Sequence, residues 1–214
     1  MDTALLHPVD TPRHHDLRDV LGEVAWQGLP AAVRARFREP VLPVDYVGEF
    51  DIVRASLLGR LFAWLGKAIG TPVAPRTGQR VPAVIHVAPA ARGASWLRHY
   101  QWPDGNACRV VSTKVIGTDG TLTEELPAGL RMPLHVYQRR GVLHFVSQGY
   151  HFELGRAPRT VRIPIPLWLS PGVTHVEHAD ESHGWFRFTM TVTHPLCGEV
   201  FYQTGRFRAA GEES

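Results

Sequence analysis

Cysteine, lysine and long apolar stretches are scarce in this 214-residue sequence, and each scarcity removes a class of protein. Only Cys108 and Cys197 are present, far apart, with no CxxC pair and no Cys/His spacing of the zinc-ribbon type. Neither a disulfide framework nor a structural zinc module is expected, and both thiols read as buried and free. No apolar run approaches the ~18 residues of a membrane-spanning helix. The first residues lack the basic region and apolar core of a secretory signal, so a cytoplasmic location is expected. Lys67 and Lys114 are the only lysines, so the net charge of +3 rests on arginine. The arginines are scattered singly instead of being gathered on one helix among stacking aromatics, which argues against nucleic acid as a partner.

What remains is the composition of an ordinary globular chain, 44% hydrophobic and 20% charged. At this length roughly 70% of the unfolded surface can be buried without a metal or disulfide staple. One β-rich domain is expected over residues 14–209, between loose tails at 1–13 and 210–214. Over residues 14–38, Leu17, Val20, Leu21, Val24, Leu29, Val33 and Phe37 recur at helical spacing and are broken at Gly28-Pro30, which predicts two short helices. Over 44–54 the pattern becomes alternation, with Tyr46, Phe50 and Ile52 on one face and Asp45, Glu49 and Asp51 on the other. Ser56 then offers an N-cap to a helix over 56–69, whose Leu57, Leu58, Leu61, Phe62, Leu65 and Ile69 form a wide apolar stripe.

Beyond a loop at 72–80 the sequence reads as strands, about 83–88, 94–102, 106–116, 131–139, 142–153, 173–179, 185–194 and 199–208. Turn signals such as Pro103-Asp104-Gly105 and Arg140-Gly141 separate them. Short turns make consecutive strands antiparallel. If His194 pairs with Glu199, then Val192 faces Phe201, Met190 faces Gln203, Phe188 faces Gly205 and Phe186 faces Phe207, an almost wholly apolar face. The expected fold is therefore α+β, mainly antiparallel β: a curled sheet or partly closed β-barrel of about eight or nine strands. Short N-terminal helices accompany it, and one helix packs across the sheet.

Several segments in order carry a family resemblance. They are Leu29-Pro30 with Val33 and Phe37, Leu57-Leu58-Gly59-Arg60-Leu61, Trp96-Leu97-Arg98-His99-Tyr100, Ile165-Pro166-Leu167-Trp168-Leu169-Ser170-Pro171, Trp185-Phe186-Arg187-Phe188, and Pro195-Leu196-Cys197-Gly198 with Tyr202. Over about residues 29–209 the chain resembles the family called domain of unknown function 4166. In many members a similar region follows an NAD(P)-binding, saccharopine-dehydrogenase-like domain. This sequence has no GxGxxG turn after a strand and no βαβ pattern. The resemblance thus implies, by association alone, an accessory partner of a separate NAD(P)-dependent enzyme.

Four residue groups can carry chemistry. His175, Glu177 and His178, with His183 nearby, are zinc-ligand types, but on a strand His175 and Glu177 share a face while His178 points away. If Ala179 pairs with Trp185, Glu177 stands opposite Arg187 as an ordinary cross-strand ion pair, and no metal is expected. His135, Tyr137, Arg139 and His144 share one side of a hairpin turning at Arg140-Gly141, either half of an acid/base site or a wet face. Trp96, Arg98, Tyr100 and Trp102 alternate along an interior face, where the Arg98 guanidinium demands a carboxylate, from Glu124 or Glu125, or a ligand anion. Gln203, set among Phe186, Phe188 and Met190, needs a partner for its buried amide.

The helix over 56–69 fits either packing across the sheet, the more economical reading, or a membrane-surface helix with Trp64, Arg60 and Lys67 at the interface. Taken together, the expectation is a non-catalytic binding module for an apolar or amphipathic, lipid-like small molecule. Trp96, Arg98, Tyr100, Glu125, Phe186, Phe188, Met190 and Gln203 would line its site, with no cofactor. The alternative is an enzyme using His144 and Tyr137, or His175 and His178 as metal ligands.

Overall fold

The computed structural model describes residues 16–67, 74, 76–156 and 159–211. The tail expected at 1–13, the end of the helix expected to reach Ile69 and residues 212–214 lie outside them. Among the described residues twelve strands occur in chain order: β1 (Val44–Ala55), β2 (Gly78–Pro89), β3 (Ala94–Gln101), β4 (Ala107–Ile116), β5 (Leu122–Glu125), β6 (Leu130–Arg139), β7 (Val142–Ser147), β8 (Tyr150–Arg156), β9 (Arg159–Ile165), β10 (Val173–Asp180), β11 (Phe186–His194) and β12 (Gly198–Ala209). All pairings are antiparallel, and the spatial order is β5-β4-β3-β2-β1-β12-β11-β10-β7-β6, with β6 pairing back onto β5. Ten strands therefore close a barrel.

The hairpin of β8 and β9 stands outside, joined to β6 only through Leu130 and Arg131. Closure removes the free edges that an open sheet would present. The sequence reading underestimates the strand count for three reasons. The single strand expected at 142–153 is two, β7 and β8, interrupted at Gln148-Gly149. β5 is four residues long, and β9 is exposed on both faces, so neither shows a sustained alternation.

Inside and outside alternate with the pleat. Tyr46, Phe50, Ile85, Trp96, Tyr100, Phe145, Phe186, Phe188, Phe201 and Phe207 point inward and belong to one buried cluster. The register of β11 with β12 places Phe186 opposite Phe207, Phe188 opposite Gly205, Met190 opposite Gln203 and Val192 opposite Phe201, as the matched faces predict. At the turn a bulge shifts the pairing, so Glu199 faces Thr193 and His194 faces Gly198.

The N-terminal segment forms three short helices, α1 (Leu17–Leu21), α2 (Glu23–Gln27) and α3 (Ala31–Arg36), instead of two. Asp16 and Asp19 cap α1 reciprocally, and Gly22, with φ of 78°, ends it. The helices sit over the β6–β7 turn end of the barrel: Gln138 Nε2 donates to the Gly28 carbonyl at 3.1 Å, and Leu29 and Val33 are buried. Phe37 enters the barrel mouth and meets the rings of Trp96, Phe145 and His178 at 5.6, 5.5 and 4.9 Å. Such ring pairs add to the area they bury.

Helix α4 (Leu57–Gly66) starts where β1 ends, at the opposite end of the barrel, with the Ser56 hydroxyl accepting from the Gly59 amide. Its packing splits the expected apolar stripe: Leu58 and Phe62 are half-buried, Leu58 against the core, but the rest of the described stripe is not covered. The small residues Gly59 and Ala63 face the barrel and are buried, while Leu57, Leu61, Trp64 and Leu65 are at least half exposed. The reason is backbone contact: a Cβ on Gly59 would stand 2.0 Å from the Val200 carbonyl oxygen. Trp168 and Leu169, also exposed, lie near the same end, because His194 contacts Phe62 and its Nε2 donates to the Trp168 carbonyl at 3.0 Å.

Replacing Gly59 with Ala is expected to lift α4 from β12 while the barrel stays folded. Limited proteolysis within α4 should accelerate, and global stability should fall by only about 1–2 kcal/mol in denaturant titration. Unchanged cleavage would show that the backbone contact does not hold the helix.

Candidate functional site

The barrel interior is polar along one wall. From β3, Arg98 points inward and is buried; from β4 come Ser112 and Lys114, from β5 Glu124, and from β10 Thr174 and His178. The Glu124 carboxylate lies 3.4 Å from Lys114 Nζ and 3.9 Å from Arg98 Nη2, so one anion serves two cations. Arg98 Nη1 donates to Ser112 Oγ at a long 3.4 Å. Burial raises the pKa of Glu124, but Lys114 and Arg98 outweigh this and hold it below the usual carboxylate range. Burial likewise pushes Lys114 down against the pull of Glu124. The rings of Phe188, Trp96 and Phe145 lie 5.3 to 5.7 Å from the two cations.

Nitrogens without a partner face the interior from this wall and from β12. Arg98 Nε, Trp96 Nε1, Gln203 Nε2 and His178 Nδ1 are buried without a protein hydrogen-bond partner. Tyr100 donates its hydroxyl to Gln203 Oε1 at 3.1 Å, which leaves the amide nitrogen of Gln203 unengaged, and burial pushes the Tyr100 pKa up to about 12. His178 sits among Phe37, Trp96, Phe145, Phe186 and Phe188. Desolvation, then Arg36, Lys114 and Arg98, hold its pKa well below the ordinary value, so the ring is neutral.

A second cluster lies outside, on the β6–β7–β10 wall. Tyr137 pairs with His144 in the hairpin register expected, their rings stacked at 4.6 Å and 9°. β10 pairs with β7, passing over β8 and β9, and brings Glu177 directly opposite His144 with His175 on the diagonal. His144 Nδ1 is 3.1 Å from His175 Nε2 and 3.3 Å from Glu177 Oε1, and His175 Nε2 is 3.8 Å from the same oxygen. Desolvation lowers the His144 pKa, with Glu177 opposing. His135 and Arg139 are exposed at the margin.

The residues predicted from sequence divide between these two places. Trp96, Arg98, Tyr100, Phe186, Phe188, Met190 and Gln203 all face the interior and are buried. Glu125 does not: it faces out, bonded to Arg92 and Arg131, and Glu124 is the carboxylate that meets Arg98. The parity of a four-residue strand decides which, and β5 pairs Glu124 with Lys114 and Met132. The expected pair of Glu177 with Arg187 is likewise corrected. The β10–β11 turn runs over residues 181–185, one residue further along than Ala179 paired with Trp185 requires, so Ala179 faces Arg187 and Glu177 faces Thr189. Arg187 instead bonds Asp51 and Glu181, each at 2.8 Å.

As metal candidates His175 and Glu177 stay together, while His178 is turned to the interior and His144 takes its place. The thiols also differ from expectation: Cys197 is exposed on the β11–β12 turn, and Cys108 is half-buried. Lys114 and Phe37 reach the interior although the sequence reading placed neither there, taking Phe37 as part of a helical pattern. The period-two alternation of Val110, Ser112 and Lys114 along β4 is the signal that places Lys114 inside.

The fold and its two clusters define a closed antiparallel β-barrel with a charged interior wall. The chain belongs to the family described as domain of unknown function 4166, whose profile matches residues 29–207. No curated protein and no solved structure matches the chain. Among the described residues, no helix is long and apolar enough to cross a membrane.

Glu124→Gln is expected to cost about 3–5 kcal/mol at neutral pH, because two buried cations lose their counter-charge. The sign of the pH dependence follows from the lowered carboxylate pKa. The contribution of Glu124 is complete above the unfolded-state value near 4.5 and is lost as pH falls through the lower folded value. Urea titrations from pH 7 to 3 should show a shallower acid limb for the variant than for the parent. Parallel limbs would exclude Glu124 as a contributor.

Proposed function

We propose that the protein is a binding module that holds an amphipathic small molecule inside the barrel, with an anionic head group at Arg98 and its apolar part among the interior rings. The observation that carries this reading is the surplus of positive charge and of unengaged nitrogens in the barrel interior: two cations face one carboxylate, and Arg98 Nε, Trp96 Nε1, Gln203 Nε2 and His178 Nδ1 lack a protein partner. A buried polar group without a partner costs on the order of 1–3 kcal/mol, and a carboxylate or similar acceptor entering there would recover it. Ten strands also enclose a wider interior than the eight with which small barrels hold one ligand. Phe50, Tyr100, Phe186, Phe188 and Phe207 supply an apolar counterpart to the polar wall.

A second observation supports delivery at a membrane surface. α4 exposes Leu57, Leu61, Trp64 and Leu65, carries Arg60 and is followed by Lys67, and has no acidic residue between Leu57 and Lys67. A helix of this kind lies in the interface of an anionic bilayer with its leucines and tryptophan in the acyl boundary. Exchange of an amphipathic molecule next to the barrel end that α4 adjoins fits both features.

Displacement of a fluorescent fatty acid tests the first reading. Saturable binding is expected, competed by long-chain carboxylates, and Arg98→Met should weaken the carboxylate by about 10–100-fold while leaving the matching alcohol unchanged. An interior that takes up no probe overturns it. Cosedimentation with anionic vesicles tests the second: Leu61→Ser with Trp64→Ser should abolish binding that the parent shows, without loss of fatty-acid affinity in solution.

A further inference from the structure

We infer that His144, His175 and Glu177 on the outer wall of the barrel form a binding site for a divalent transition-metal ion of the zinc class. Their three ligand atoms, His144 Nδ1, His175 Nε2 and Glu177 Oε1, converge on one point, with separations of 3.1, 3.3 and 3.8 Å. Around a tetrahedral zinc ion with bonds of about 2.0–2.1 Å, neighbouring donor atoms stand about 3.3–3.4 Å apart. The triangle therefore has the size of one face of such a coordination shell. An ordinary ion pair requires a single short approach, whereas here each of three atoms lies near both of the others.

The donor set also selects the ion. Two imidazoles and a carboxylate suit zinc, cobalt, nickel or ferrous iron, whereas calcium and magnesium require more oxygen ligands and cuprous copper prefers sulfur. The ligands stand on two paired strands, and His144 is held by the stacked ring of Tyr137, so the site needs little ordering when the ion arrives. His144 is the deep ligand, its side chain 10% exposed, whereas His175 and Glu177 are 35% and 38% exposed at the rim. The fourth coordination position consequently faces solvent, as in zinc sites that bind a water or an incoming ligand.

The site is separate from the barrel interior and would stand or fall independently of the binding function proposed above. The test is calorimetric titration of the full, chelator-treated chain with Zn²⁺, together with Co²⁺ spectra. One ion per chain is expected, with the strong visible absorption of low-coordinate Co²⁺ and a rise in melting temperature on adding Zn²⁺. His175→Ala and Glu177→Gln, both at the solvent rim, should each weaken the ion by more than about a hundredfold, beyond the 10–100-fold typical of an outer partner. Each should also remove the thermal shift, with the metal-free melting temperature kept near that of the parent. His183→Ala, in the adjacent β10–β11 turn, should change nothing. Absence of stoichiometric binding overturns the inference, and so does binding that survives both substitutions, which would place the ion on other histidines.

Discussion

Glu124 is a single carboxylate between two buried cations, and it sits on the strand that closes the barrel. β5 has only four residues, yet it carries two seams, to β4 and to β6. Its alternation sends Leu122 and Glu124 inward and Thr123 and Glu125 outward, so adjacent glutamates meet cations on opposite faces of the wall. Inside, Lys114 and Arg98 reach Glu124 from β4 and β3; outside, Arg92 and Arg131 reach Glu125. A one-residue slip of so short a strand would turn Leu122 and Glu124 outward and bring Thr123 and Glu125 inward, so Lys114 and Arg98 would lose Glu124 and Arg92 and Arg131 would lose Glu125. Register, closure and interior charge are thus one constraint. The buried pairs matter through the penalty for breaking them more than through their net stabilisation.

That constraint divides the interior. The rings of Phe50, Phe186, Phe188 and Phe207, from β1, β11 and β12, pack edge to face or tilted, and Tyr100 of β3 stacks on Phe50. Charge lies toward β3, β4 and β5, and the unengaged nitrogens of Arg98, Trp96 and His178 lie toward β3 and β10, with that of Gln203 on β12. An interior divided in this way has an orientation: one wall rewards an acceptor and the other rewards hydrocarbon. Arg98 stands at the boundary, with Phe188 on one side and Glu124 on the other.

Much of this was legible wherever neighbouring strands are joined by short turns. The face of β11 and β12, the stacked Tyr137 and His144, and the burial of Arg98 and Gln203 all follow from alternation and turn length. What was not legible depends on pairings distant in sequence. Nothing local announces that β10 leaves β9 aside to pair with β7, yet that pairing joins His175 and Glu177 to His144. Parity failed for Glu125 because four residues give too little pattern to fix a face. α4 misled for a different reason: the periodicity located its leucines on one stripe, but Gly59 and Ala63 allow the close approach to β12, so the small side chains face the protein.

β10 shows how much one pleated strand can separate. His178 is enclosed by five aromatic rings, and its immediate neighbour Glu177 stands at the solvent rim beside His144 and His175. The two imidazoles at 175 and 178 are three residues apart in sequence, but they occupy opposite faces of the wall and share no partner. A substitution at His175 therefore alters the outer cluster without touching the cation wall, and one at His178 does the reverse. The sequence His175-Val176-Glu177-His178, which reads as one motif, is in the folded protein divided between two clusters with different chemistry, a pair of imidazoles with a carboxylate on the outer wall and a neutral ring beside buried cations within the barrel.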